Sequence, residues 1–401
     1  MKTTLGIGLI ILTLLAGAAS AGADVVTDAN ARAAEIASKM PGTPPAVRAM
    51  AIVQVSVFDA VSAITGRYPA FRAPVKAPAG ASVDAAVAAA TRTVLAKLVP
   101  AQQAAIDADY IAALKSVPDG SAQTDGIAVG EQVAAMVLAQ CAEDGAVAPN
   151  TYRPHTTPGV YVPTMFPAVP HWGKRKTWVL TSADQFRPGP PPRLTSETWK
   201  RDVSEIKALG AKNSTQRTAE QTAIAKFWEA TAPAVYWPVV RSVANAPDRD
   251  LAENARLFAA AAVAMDDALI AVFDAKYTYN FWRPVTAIRN ADKDARDPSW
   301  MPFIDTPMHP EYPCAHCIVA GALGGVLAAE LGNGPVPTLS STSYTASGAT
   351  RTWVKVGDFV QEVAVARIYD GVHYRNSTVV GSAMGQKIGE LAAKKFPKAT
   401  R

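Results

Sequence analysis

Apolar positions spaced three and four residues apart, in alanine-rich stretches, predict amphipathic helices over 26–39, 45–65, 82–98, 101–116 and 125–144. Proline and glycine punctuate the gaps between them. Helical character resumes over 196–228, and a long helix runs from about 250 to 282, with Asp250 as its N-cap and Pro284 marking its end. Further helices fit 314–331, 352–370 and 377–395. Period-two alternation is scarce and no internal repeat stands out. The pattern predicts an all-α helix bundle. No charged or Ser/Gly-rich linker divides the chain, so 24–401 is expected to form a single helical domain.

One long segment breaks the pattern. Residues 146–193 are rich in proline and end in FRPGPPPR, yet they carry Tyr152, Tyr161, Phe166, Trp172, Trp178 and Phe186. That is too aromatic for a solvated linker. The expectation is a long irregular segment that wraps over the helices and buries those rings. The N-terminal helical part and this wrap would then span 24–200, and the candidate chemistry would lie in 201–401.

The first residues read differently. MKTTLGIGLIILTLLAGAASAGAD has one lysine, an apolar run from Leu5 to Ala16 and small residues that fit A-x-A cleavage. Residues 1–23 are therefore expected to be a secretory signal peptide, and the protein to be exported, either periplasmic or secreted. No later stretch offers about 18 uninterrupted apolar residues, so no stable membrane span is expected. A net charge of +5, with no Lys/Arg block, argues against a nucleic-acid partner. Three cysteines in 401 residues are too few for a disulfide scaffold. One bridge with one thiol left over is the expectation in an oxidising compartment.

Three short motifs carry candidate chemistry. In Lys276-Tyr-Thr-Tyr-Asn-Phe-Trp-Arg283-Pro284, seven helical residues come to nearly two turns, so both cations would project from one face. Two like charges on an apolar helix are costly to bury unless a polyanion sits between them. In PEYPCAHCIVAG, residues 310–321, Pro313 is expected to open a helix and His316 to lie in its first turn, beside N–H groups without intrahelical acceptors. A haem site would need histidine directly after the second cysteine, and Ile318 stands there. A zinc knuckle lacks a second ligand pair. A disulfide, or small apolar fillers, remain for Cys314 and Cys317. In Ala366-Arg367-Ile-Tyr-Asp370-Gly371-Val-His373, Gly371 should end a helix and leave His373 on a turn, with Asn376 or Ser377 capping the next helix. Together these supply cations, oriented N–H donors and two imidazoles, which is what a tetrahedral oxyanion requires.

The order K-x6-RP, P-S-G-H, S-R-x5-H-x3-D resembles the signature of the vanadium-dependent haloperoxidases and the type 2 phosphatidic acid phosphatases. Lys276, Arg283 and Pro284 match the first element. Pro313 and His316 match the second, with Cys314 and Ala315 in place of Ser and Gly. Arg367 and His373 match the third, with Ala366 and Ser377 in place of its Ser and Asp. The resemblance implies an all-α fold with vanadate as cofactor, or phosphate if the protein is a phosphatase. His373 would be the vanadate ligand. Lys276, Arg283, Arg367 and backbone N–H groups at Cys314 and Ala315 would bind the oxyanion. His316 and Lys276 would join His373 as catalytic groups, His316 in proton transfer and Lys276 polarising bound peroxide. The substrates would be peroxide and halide. In the alternative, they are phosphate esters, with His373 attacking phosphorus and His316 protonating the leaving alcohol. A binding protein without turnover is a third possibility. Chain length, the helical N-terminal half and the Pro-rich segment resemble the haloperoxidases more than the compact phosphatases. Cys314 would have to be shielded from oxidant or tied to Cys317 or Cys141. With Ser377 replacing the carboxylate, Asp370, Ser377 or a backbone carbonyl would have to orient His373.

Overall fold

A computed structural model describes residues 24–292 and 295–397; the leader expected over 1–23 lies outside the described residues. Among these there are thirteen α-helices and one two-stranded sheet. The first five helices are α1 (Val25–Ala37), α2 (Thr43–Thr65), α3 (Val83–Leu98), α4 (Gln103–Leu114) and α5 (Ser121–Cys141), close to the periodicity. Where 196–228 reads as one helical region, the chain forms two helices. These are α6 (Glu197–Leu209) and α7 (Ala219–Trp228), the second opened by a Thr218–Gln221 capping box. Two short helices escape the periodicity: α8 (Trp237–Ala244) and α10 (Pro284–Arg289). Each has proline in its first turn, where the missing N–H costs nothing.

The centre of the bundle is α9 (Leu251–Tyr279). Asp250 caps it as expected, in a capping box with Glu253. It does not run to Pro284. Asn280 adopts the left-handed conformation at φ 49° and ends the helix one turn earlier. Behind it come α11 (Ala315–Leu331), the hairpin β1 (Leu339–Ser343) and β2 (Ala349–Trp353), α12 (Val356–Tyr369) and α13 (Arg375–Lys395). The antiparallel hairpin is not legible in the sequence because, after Leu339, LSSTS is all hydroxyl residues. Its buried hydroxyls, Ser341 and Ser343, donate to the carbonyls of Val235 and Phe227.

The seam between α11 and α13 sets the relative position of two helix starts. A methyl group on Gly385 would lie 2.0 Å from the carbonyl oxygen of Ile318, and one on Gly389 2.0 Å from that of Ala322. Backbone rests on backbone there, so the N-terminus of α11 is held beside the N-terminus of α13.

Between α5 and α6 the chain is irregular apart from one 3-10 turn, Trp172–Lys174. It is tied to α9 by a row of polar groups. Asp267 accepts hydrogen bonds from the N–H groups of Trp178, Val179 and Leu180 at 2.8, 2.9 and 3.0 Å. Arg175 pairs with Asp266 and Asp144, and Arg187 with Asp274. Tyr277 donates to the carbonyl of Ala168. Tyr161 and Trp172 are buried, while Tyr152, Trp178 and Phe186 are half-buried. Phe166 contradicts the expectation, at 89% exposed. The chain is pinned at Tyr161 to Asn280 and at Ala168 to Met308, and the loop between carries Phe166 away from the surface. Among the described residues, α2 is the one helix long and apolar enough to cross a membrane, and most of it is buried in the bundle.

Candidate oxyanion site

The residues singled out from sequence converge, by routes that differ from the expected ones. Lys276 lies in the last turn of α9. Its Nζ donates to the carbonyls of Pro310 (2.8 Å) and Glu311 (2.9 Å) and is fully buried. Burial, then the charge of Arg283, hold this amine well below its ordinary range. Arg283 does not share a helical face with Lys276, because α9 has already ended. It reaches the same place from the N-cap of α10. Its Nε donates to the carbonyl of His309 (2.9 Å), Nη1 to the carbonyl of Val372 (2.8 Å) and to His373 Nε2 (3.2 Å), and Nη2 to His309 Nδ1 (3.0 Å). Burial lowers the Arg283 guanidinium to about 10.

At α11, Pro313 precedes the helix instead of opening it, and Cys314 is the N-cap. His316 therefore stands in the first turn, as expected, at the second helical position. The N–H groups of Ala315 and His316 have no intrahelical acceptor at these positions. Cys314 does not fit the role of oxyanion binder. Its N–H donates to the carbonyl of Ser377 (3.2 Å), and its sulfur is bonded to Cys317 in a disulfide. The bridge is fully buried with Ala364, and Cys141 is the free, buried thiol. The N–H donors of this helix start thus reduce to those of Ala315 and His316.

The turn after α12 holds the second histidine. Gly371 takes φ 78° and breaks the helix, as its sequence position suggests. The next helix is capped by neither Asn376 nor Ser377. Tyr374 occupies the cap, and Asp202 of α6 accepts from the N–H of Asn376 at 2.7 Å. Arg367 donates to the carbonyl of Trp228 (2.8 Å) and pairs with Asp370 (2.6 Å). Asp370 is therefore committed to Arg367 and does not orient His373.

Glu311, which no motif marks in the sequence, orients that histidine. Its Oε1 lies 2.8 Å from His373 Nδ1, with Ser377 Oγ at 3.4 Å from the same nitrogen. One tautomer satisfies every contact of the ring: Nδ1–H donates to the carboxylate, and the Nε2 lone pair faces Arg283. Burial pushes the Glu311 carboxyl up to about 7, against the pull of Lys276 and Arg283. His309, also outside the motifs, stacks edge-on against Phe273 at 5.3 Å. Its Nδ1 meets both Arg283 Nη2 (3.0 Å), a donor, and the carbonyl of Pro310 (3.2 Å), an acceptor. The only cue to Glu311 in the sequence is a lone carboxylate in an otherwise apolar stretch; nothing local points to His309.

A cavity of about 380 Å³ opens onto this cluster, lined by His309, Ala315, His316, Arg367 and His373, with Phe273 on one wall. Lys276 and Arg283 lie behind the histidines, fully buried. His316 Nε2 and Arg367 Nε are buried with no hydrogen-bond partner among the described residues. Burial first, then the neighbouring cations, hold His309, His316 and His373 well below the usual histidine range. Three buried cations, unsatisfied donors and repelled protons suit a vanadate- or phosphate-sized oxyanion.

A family profile described as the VCPO second helical-bundle domain matches residues 256–401. Among solved structures, the first bacterial vanadium-dependent iodoperoxidase superposes with a TM-score of 0.80, at 25% identity, over 94% of this chain and 97% of that one. The chain is thus similar to vanadium haloperoxidases, by sequence over part of its length and by fold over nearly all of it. A vanadium chloroperoxidase of Curvularia inaequalis is 32% identical over 188 residues, covering 38% of this chain. The chain spans about a third of that relative's length, 31%. A holo-type bacterial vanadium-dependent chloroperoxidase shares the fold, with a TM-score of 0.73 at 17% identity over 90% of this chain. The all-α haloperoxidase fold expected from the sequence is thus the fold of this chain.

Proposed function

We propose that this chain is a vanadate-dependent haloperoxidase-like enzyme that uses hydrogen peroxide to oxidise halide. The reading rests on the single tautomer of His373, whose Nε2 lone pair is aimed among buried cations. That nitrogen would hold vanadate. Lys276, Arg283 and Arg367, with the N–H groups of Ala315 and His316, would neutralise its oxygens. Bound vanadate supplies a Lewis-acidic centre for peroxide activation. His316 presents an unpartnered Nε2 at the cavity wall and is held neutral by its surroundings, so it can accept a proton from entering peroxide and return it to the departing product. Lys276 is pinned by two carbonyls, so its amine is already in place, and an anion bound there would favour its charged form.

The same Glu311–His373 bond favours a second reading, phosphomonoester hydrolysis. A carboxylate behind Nδ1–H strengthens Nε2 as a nucleophile toward phosphorus, and His316 would protonate the leaving alcohol. Stripping the protein of oxyanion and titrating back vanadate, then phosphate, tests the first reading. Halide oxidation should appear with vanadate and be displaced competitively by phosphate. Oxidation that is indifferent to vanadate would refute it.

A further inference from the structure

The superfamily pattern carries a carboxylate four residues after its third-motif histidine, and this chain has Ser377 there. We propose that Glu311 is the positioning residue for His373, replacing that carboxylate at the same ring nitrogen from a different part of the chain. The inference rests on His373 being the residue that holds the oxyanion.

Four contacts carry it. Glu311 Oε1 lies 2.8 Å from His373 Nδ1, and the N–H of Tyr374, the next residue, donates to the same oxygen at 3.0 Å. One carboxylate oxygen thus clamps both the ring and the backbone that carries it. Glu311 is itself fixed, because its N–H donates to the carbonyl of Phe281 (2.8 Å) and its carbonyl accepts from Lys276 Nζ (2.9 Å). The residue therefore ties the lysine of the first motif to the histidine of the third. Both Glu311 and His373 are buried, at 0% and 1% exposure. A carboxylate there is costly unless it meets a donor, and His373 Nδ1–H and Tyr374 N–H are those donors.

Ser377 completes the exchange. Its Oγ stands 3.4 Å from the same Nδ1, at the point where the pattern's carboxylate would approach. Imidazole offers a single hydrogen at that nitrogen, so two carboxylates there would leave one charge buried without a donor. A glutamate at 311 and a serine at 377 are a matched pair, interchangeable with a neutral residue at 311 and an aspartate at 377.

The exchange predicts a rescue. Vanadate affinity measured by calorimetry should fall about 10- to 100-fold in Glu311→Ala, the usual cost of losing such an orienting partner. Glu311→Ala with Ser377→Asp should recover at least tenfold of that loss, in affinity and in kcat alike. Ser377→Asp alone should weaken binding, since it sets a second carboxylate beside Glu311. Should Glu311→Ala fail to fold, the isosteric Glu311→Gln, alone and with Ser377→Asp, makes the same comparison. An unchanged affinity in the Glu311 variant, or no recovery in the double variant, overturns the inference. His373→Ala run in parallel separates the two levels. If it leaves vanadate affinity intact, the site assignment falls and the inference with it. If it abolishes binding while Glu311→Ala does not, the inference alone falls.

Discussion

Gly371 presses directly on Gly210: a methyl group on Gly371 would lie 2.2 Å from the Gly210 carbonyl oxygen. Gly371 also holds φ 78°. The turn that presents His373 is therefore seated on the C-terminal end of α6, with no room for a side chain. Gly371→Ala should cost about 2–4 kcal/mol, from the left-handed backbone and the overpacking together. It should also weaken oxyanion binding, because His373 is two residues away. Gly189→Ala, whose methyl would meet nothing within 4 Å, is the control. Chemical denaturation of both variants checks this, and equal stability in the two would contradict it.

The irregular segment before α6 is held mainly by buried carboxylates of α9. Removing the Asp267 carboxylate leaves the buried N–H groups of Val179 and Leu180 without their acceptor. Asp267→Ala should lower stability by about 3 kcal/mol and speed proteolysis between residues 142 and 196. A loss below about 0.5 kcal/mol, within the range of surface substitutions, would show that the segment is held by other contacts.

Anion binding should take up protons. His309, His316 and His373 are held below their usual range by burial and by the cations, and Glu311 and Asp370 stand at about 7. A bound anion offsets the cationic field and raises every one of these values, so each group gains proton occupancy. Sulfate is a suitable probe because it does not itself titrate near neutrality. Sulfate titrations at pH 7 in buffers of different ionisation enthalpy should report net uptake; net release would contradict the arrangement.

Thiol counting checks the bridge. Burial pushes the Cys141 thiol up to about 11, and Cys314 is joined to Cys317. Ellman's reagent should find no rapidly reacting thiol in the native protein, one after unfolding and three after reduction, matching the three cysteines of the chain. Three thiols in the unfolded, unreduced protein would place a free sulfur at the start of α11.

The parts of this site that are legible in the sequence are those whose geometry is local. His316 follows a helix start set by Cys314 and the preceding proline, and His373 follows a helix broken by Gly371, so spacing alone locates both. The rest depends on distant chain. Spacing puts Arg283 on the face of Lys276 because nothing in KYTYNFWRP announces that Asn280 turns left-handed. Glu311 lies 62 residues from His373 and meets it only because the α11–α13 seam brings the two helix starts together. The Cys314 sulfur is drawn out of the site into a bridge that spacing permits but does not require. Short α8 and α10 are below the length at which periodicity speaks, and the β hairpin is built from hydroxyls in place of alternating apolar residues.

The central claim is that His373 holds a catalytic oxyanion. The decisive measurement is bromide oxidation by peroxide in vanadate-loaded protein, run beside aryl-phosphate hydrolysis, in the native chain and in His373→Ala. Vanadate-dependent bromide oxidation that falls to background in the variant is the expected result. Hydrolysis without bromide oxidation, or oxidation that survives the loss of His373, would contradict it.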